Sequence, residues 1–205
     1  MVTTIFNPDS VVQNETNIEE FIPPNQDWNY VMVENDLGDK EGSGMFGGEP
    51  GGKWLLFVPD SDFLAVFRKV AKLAVNLELT NHFKASGHGE SHVFCIYCKD
   101  YKNITFIRKT AKKLLLEGFV NKYGVKHKDG TQSIYFKPDE ATRSFLYSDT
   151  GNAMTLYQFT SKSELFFKEF DNEYKPHWSL VENDENVAIF ENYEFYLNYL
   201  RNLEE

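Results

Sequence analysis

Arginine is scarce in this chain, occurring only as Arg68, Arg108, Arg143 and Arg201. Lys and Arg together number 21 against 31 Asp and Glu, a formal net charge of −10. A long polyanion would meet net repulsion, so sequence-independent binding of DNA or RNA is not expected, while small anionic ligands stay open. Cysteine is limited to Cys95 and Cys98. Three residues apart on a predicted strand, they project to opposite faces, which argues against a disulfide between them and fits a reducing compartment. Their Cys-x-x-Cys spacing has no second ligand pair nearby and no helix starting at it, so neither a zinc site nor a redox site is expected. No apolar run approaches membrane-spanning length, and MVTTIFNPDSVVQNE has no basic region ahead of an apolar stretch. The expectation is a cytoplasmic protein, in its own or a host cell, with no membrane association. Lys in place of Arg, with abundant Asn, Phe and Tyr, is the bias of an AT-rich genome such as that of a virus, phage or low-GC bacterium.

What is present is enough apolar residue for one core: 41% of 205 residues. That length suits a polar arm at 1–27, marked by Pro23-Pro24, followed by a single domain at 28–205. Trp28 to Val33 reads as a first strand, and the glycine-rich stretch 36–52 as a loop. This loop lacks a phosphate-loop sequence, because Lys53 is followed by Trp54, which has no hydroxyl to offer magnesium. Lys53 to Val58 reads as a buried strand, and Asp60 or Ser61 as the cap of a helix with Phe63, Val66, Phe67, Val70, Leu73 and Ala74 inward. Leu79 to Ala85 and Ser91 to Cys98 read as a hairpin. Asn103 caps a helix with Ile104, Ile107, Ala111, Leu114 and Leu115 inward, which Gly118 ends in a left-handed turn. Lys109, Lys112 and Lys113 fall outside that stripe, as a solvated face would. A basic turn at Lys122 to Gly130 leads to a strand at Thr131 to Phe136, with further strands at Ser144 to Ser148 and Met154 to Phe159. Ser161 reads as opening a short helix, SKSELFFKEF. Val187 to Phe190 reads as a last strand, and Asn192 to Leu203 as a closing helix. Hairpin-linked strands with interspersed helices predict an α+β fold: a curved, mostly antiparallel sheet with helices on one face and the other face partly open.

Two groups of residues carry candidate chemistry. Lys137, Asp139, Thr142 and Arg143 gather at a strand end where Pro138 stiffens the backbone, and they offer the donors that a phosphate needs. In the hairpin, His82 and Lys84 share one strand face by alternation and His92 begins the return strand. A neutral His as base and a protonated one as acid, with Lys84 and Lys137 stabilising the developing charge, would suit metal-independent phosphodiester cleavage. Three ordinary polar residues at a hairpin end is the plainer reading of His82, His88 and His92, and the loop around His88 is too glycine-rich for a preorganised metal site. His127 reads as a turn residue.

The run GGKWLLFV, the helix bearing Phe67, the strands Phe83-Lys84-Ala85 and HVFCIYCKD, and YFKPDEATRSFLY resemble the basophilic leukemia-expressed protein family, which has the translation initiation factor 4E fold. The resemblance covers Gly51 to Ser148. It implies a cupped sheet whose concave face, in the cap-binding relatives, holds a nucleotide-like ligand. Those relatives clamp a positively charged base between two Trp rings, one of them upstream of the Gly-Gly-basic-Trp motif; here that region holds Phe46 and no Trp, so cap binding is not implied. The resemblance implies that Trp54 is a core or back-surface anchor.

Together these readings predict a binder of a phosphorylated, nucleotide-like small molecule on the open sheet face. Lys53, Lys84, Lys137 and Arg143 are the anion contacts, with Asp139 and Thr142 beside them. The alternative is a phosphodiesterase using His82, His92 and Lys84 on a small or cyclic nucleotide, as a viral protein acting on host nucleotide immune signalling would. A third reading is an adaptor presenting the acidic, aromatic segment Glu182 to Glu205 to a protein partner. Neither a metal nor a cofactor is expected.

Overall fold

Trp54, Leu56 and Val58 are wholly buried while Phe57 between them is 47% exposed, the two-residue period that makes this segment a strand with one face in the core. The computed structural model describes residues 2–7, 10–13, 28–34, 51–75, 79, 82–87, 89–143, 155–173 and 175–184. They fall into two compact units, one within Met1–Gly48 and Trp54–Tyr97, the other within Glu49–Lys53 and Cys98–Glu205.

The first unit contains strands β1 (Val2–Asn7), β2 (Ser10–Gln13), β3 (Trp28–Glu34), β4 (Gly52–Pro59) from Trp54 onward, β5 (His82–Ser86) and β6 (Ser91–Cys98) up to Tyr97, with helix α1 (Asp60–Val75). The strand order is β2-β1-β3-β5-β6-β4. Trp28 therefore opens the third strand rather than the first, since β1 and β2 arise within residues 1–27 and β1 pairs antiparallel with both β2 and β3. The β-branched content of VTTIF and SVV accounts for them. On β5 and β6 the register sets Phe83 opposite Ile96 and Ala85 opposite Phe94, and all four are buried. The stripe of α1 covers that face, with Phe67 against Phe83 at 5.2 Å and Phe63 against Phe94 at 5.6 Å between ring centroids. Asp60 is the first residue of α1, not its cap.

The second unit contains helices α2 (Ile104–Leu116), α3 (Phe119–Tyr123) and α4 (Asp139–Arg143), and strands β7 (Val125–Lys126), β8 (Gln132–Pro138), β9 (Tyr157–Thr160), β10 (Leu165–Phe170) and β11 (Pro176–Leu180). Asn103 caps α2 by accepting from the Phe106 N–H, and Gly118 ends it at φ 83°, where a side chain would be strained. Ile104, Ile107, Ala111 and Leu114 are buried as expected, while Leu115 is half-exposed. The stretch read as one basic turn opens on the last two residues of α3 and holds β7, and β7 pairs antiparallel with β8. The sheet runs β8-β9-β10-β11, each neighbouring pair antiparallel, and α3 and α4 pack on β8.

The helix expected from Ser161 is instead a tight turn and β10. Thr160 Oγ1 accepts from the Lys162 and Glu164 N–H groups, and Ser163 sits at φ 66°. A hydroxyl bonding its own chain in this way offers the backbone a turn in place of a helical start. The strands and helix expected at 144–148, 187–190 and 192–203, and the glycine-rich stretch up to residue 50, lie outside the described residues. Both units are built of antiparallel strands with helices packed on them, an α+β fold. Among the described residues no helix is long and apolar enough to cross a membrane.

Gly52 is closely packed in the second unit: a Cβ there would stand 2.5 Å from two ring carbons of Phe136 and 2.9 Å from the Lys137 carbonyl oxygen. Because Phe136 is wholly buried and has nowhere to turn, Gly52→Ala is expected to destabilise the protein by about 1–3 kcal/mol. Urea denaturation measures this, and an unchanged midpoint would contradict it.

Candidate functional site

Two sequence-distant motifs meet at the start of β4. The Asp139 N–H donates to the Gly51 carbonyl oxygen at 2.9 Å, and Lys53 Nζ donates to Asp139 Oδ1 at 2.7 Å. The lysine side chain is only 8% exposed and the carboxylate 25%. An ammonium this deep needs its carboxylate, so Lys53 and Asp139 spend their charges on each other and hold the Gly-Gly-Lys-Trp and Lys-Pro-Asp motifs together. Cys98 lies close by, buried, with Thr110 beside it, and burial pushes its thiol up to about 12. It is therefore a packing residue and not a nucleophile at neutral pH. Neither Cys95 nor Cys98 is in a disulfide, and both are buried.

In the first unit, Lys84 is half-buried on the β5 face opposite Phe83, as alternation requires. The side chains of His82 and His88 lie outside the described residues. His92 is 2% exposed, stacks 4.2 Å from the Phe63 ring, and has both nitrogens engaged: Nδ1 lies 2.7 Å from the Ser86 carbonyl oxygen and Nε2 3.0 Å from Asp60 Oδ1. A carbonyl and a carboxylate both accept, so each ring nitrogen faces an acceptor within the fold. Such a ring ties β5, β6 and α1 together.

The second unit presents a different surface. Phe136, Tyr157 and Phe167 form an aromatic row on one face of β8, β9 and β10. The opposite face carries Tyr135, Lys137, Phe166 and Lys168, all half-buried. Lys168 stands directly across from Trp178 in the β10–β11 register, with its Nζ 5.1 Å from the indole centroid. The Tyr135 ring lies 6.0 Å from the same indole. Lys137 shares this face through alternation along β8. Toward β7 the face is closed by a hydrogen-bonded group in which Gln158 Nε2 donates to Ser133 Oγ at 2.9 Å and His127 Nε2 lies 3.0 Å from that hydroxyl. Ser133 is wholly buried and out of reach of a substrate. The side chains of Thr142 and Arg143 lie outside the described residues.

Lys168 and Trp178 are the residues that sequence reasoning missed. Their signal was the alternation of LFFKEF, with Leu165 and Phe167 inward, once that segment is read as a strand.

The two units define an α+β protein of antiparallel strands and covering helices. Over residues 50–143 the chain matches the model of the family Basophilic leukemia-expressed protein Bles03, and that segment is of the Bles03 family. No curated protein matches the chain.

Burial lowers Lys168 from an ordinary 10.5 to about 8. Between these values the unfolded chain holds a proton that the native protein has released, so stability rises with pH from about 8 to 10.5. Below 8 both states are charged and the native state carries the full burial penalty. Lys168→Met is therefore expected to raise Tm at pH 7 and to lose that advantage as pH approaches 10. Thermal melts of both proteins across this range check it, and a destabilised variant at pH 7 would contradict it.

Proposed function

We propose that the chain binds a phosphorylated, nucleotide-like small molecule on the Tyr135–Lys168–Trp178 face of its second unit. The observation that carries this reading is the amine of Lys168 held over the Trp178 ring with Tyr135 alongside. Aromatic faces stack planar bases with little regard to their identity, and amines beside them meet phosphate oxygens. A lysine whose burial works against stability, placed on a half-exposed aromatic face, is the pattern of a functional group rather than a structural one. Lys137 adds a second amine to the same face. Lys53, bonded to Asp139, serves as scaffold in this reading.

Binding is favoured over cleavage because an imidazole acid–base pair needs a nitrogen facing the substrate, and both His92 nitrogens are bonded within the fold. Titration with AMP, followed by calorimetry, tests the proposal. AMP is expected to bind saturably and more tightly than adenosine or inorganic phosphate alone. Lys137→Ala is expected to weaken AMP by about tenfold while leaving the Tm of the free protein nearly unchanged. Absence of AMP binding, or affinity unchanged from the wild type in both Lys137→Ala and Lys168→Met, would overturn the proposal.

A further inference from the structure

The face that carries Trp178 has a strong sign. Among the described residues of β8–β11, alternation and register assign it two lysines, Lys137 and Lys168, and no Asp or Glu. Glu169 points to the other side, where its carboxylate accepts from Ser179 Oγ and meets His177 Nε2 at 3.1 Å. The indole also has its quadrupole engaged, because the Lys168 ammonium lies 5.1 Å from its centroid and draws on the same negative ring face that would attract another cation.

We infer that this face selects a nucleotide with a neutral or anionic base and rejects one with a cationic base. The inference rests on the nucleotide reading above and deepens it by naming the charge class of the ligand. A cationic ring stacked on Trp178 would bring a like charge near Lys168 in a partly desolvated setting, where screening by water is weak. It would also compete with Lys168 for the indole. A neutral purine meets neither obstacle, and its phosphate gains from both amines. The rings on this face therefore act as a stacking platform flanked by positive charge, not as a cage for a cation.

The test compares AMP with N1-methylated AMP, whose base is a cation at neutral pH while its phosphate is unchanged. Calorimetric titration of the full chain at neutral pH is expected to give AMP about a tenfold advantage, and in Lys168→Met the advantage is expected to shrink to near parity. Retention of the full ratio in Lys168→Met would assign the discrimination to the added methyl group and overturn the inference. Equal or tighter binding of the methylated nucleotide by the wild type would overturn it as well, leaving the nucleotide reading intact. Failure of both nucleotides to bind would remove that reading itself, and the inference with it.

Discussion

The ion pair between Lys53 and Asp139 is the constraint on which the second unit depends. It joins residues 86 apart in sequence, and a carboxylate must reach the ammonium because its side chain is almost wholly shielded from water. The pair acts with close packing at the two preceding glycines. A Cβ on Gly51 would stand 3.2 Å from Asp139 Oδ2, and Gly52 leaves room for the Phe136 ring. Once the end of β8 is fixed in this way, the two-residue period of the strand settles the rest. Phe136 must face inward, and Tyr135 and Lys137 must face the other way.

From that single register the character of the candidate site follows. Tyr135 lies opposite Gln158, Gln158 opposite Phe166, and Lys168 opposite Trp178, so one face of four strands collects rings and amines contributed by segments far apart in the chain. The inward row of Phe136, Tyr157 and Phe167 provides the apolar burial that supports it. Tyr157 is further anchored by its hydroxyl, which donates to the Tyr101 carbonyl oxygen at 2.8 Å. The first unit is organised differently. There the aromatic cluster of Phe63, Phe67, Phe83 and Phe94 holds α1 on the sheet, and His92 works as a hydrogen-bonded tie within that packing.

Local signals in the sequence were read well because they are complete within a few residues. The cap at Asn103, the left-handed Gly118 and the inward stripe of α2 each depend only on neighbours in the chain. β10 was misread for an equally local reason. Phe166 and Phe170 are four apart and mimic a helical stripe, while Ser161 resembles a cap, so the true period of two was hidden by aromatic residues on both faces. That error removed Lys168 from view and, with it, the partner of Trp178. The Lys53–Asp139 pair was beyond reach for another reason. Each half was visible as a motif with an apparent use for its charge, and only the folded chain shows that the two charges are used on each other.

The central claim is that a nucleotide lies on the face made by Tyr135, Lys168 and Trp178, and backbone and indole chemical-shift mapping locates it most directly. The chain has three tryptophans, Trp28, Trp54 and Trp178, which give distinguishable indole N–H resonances once assigned by substitution. On addition of AMP, the account predicts shifts centred on the Trp178 indole and on the amides of Tyr135, Lys137 and Lys168. Shifts centred on β5 and β6, with the Trp178 indole unmoved, would contradict it.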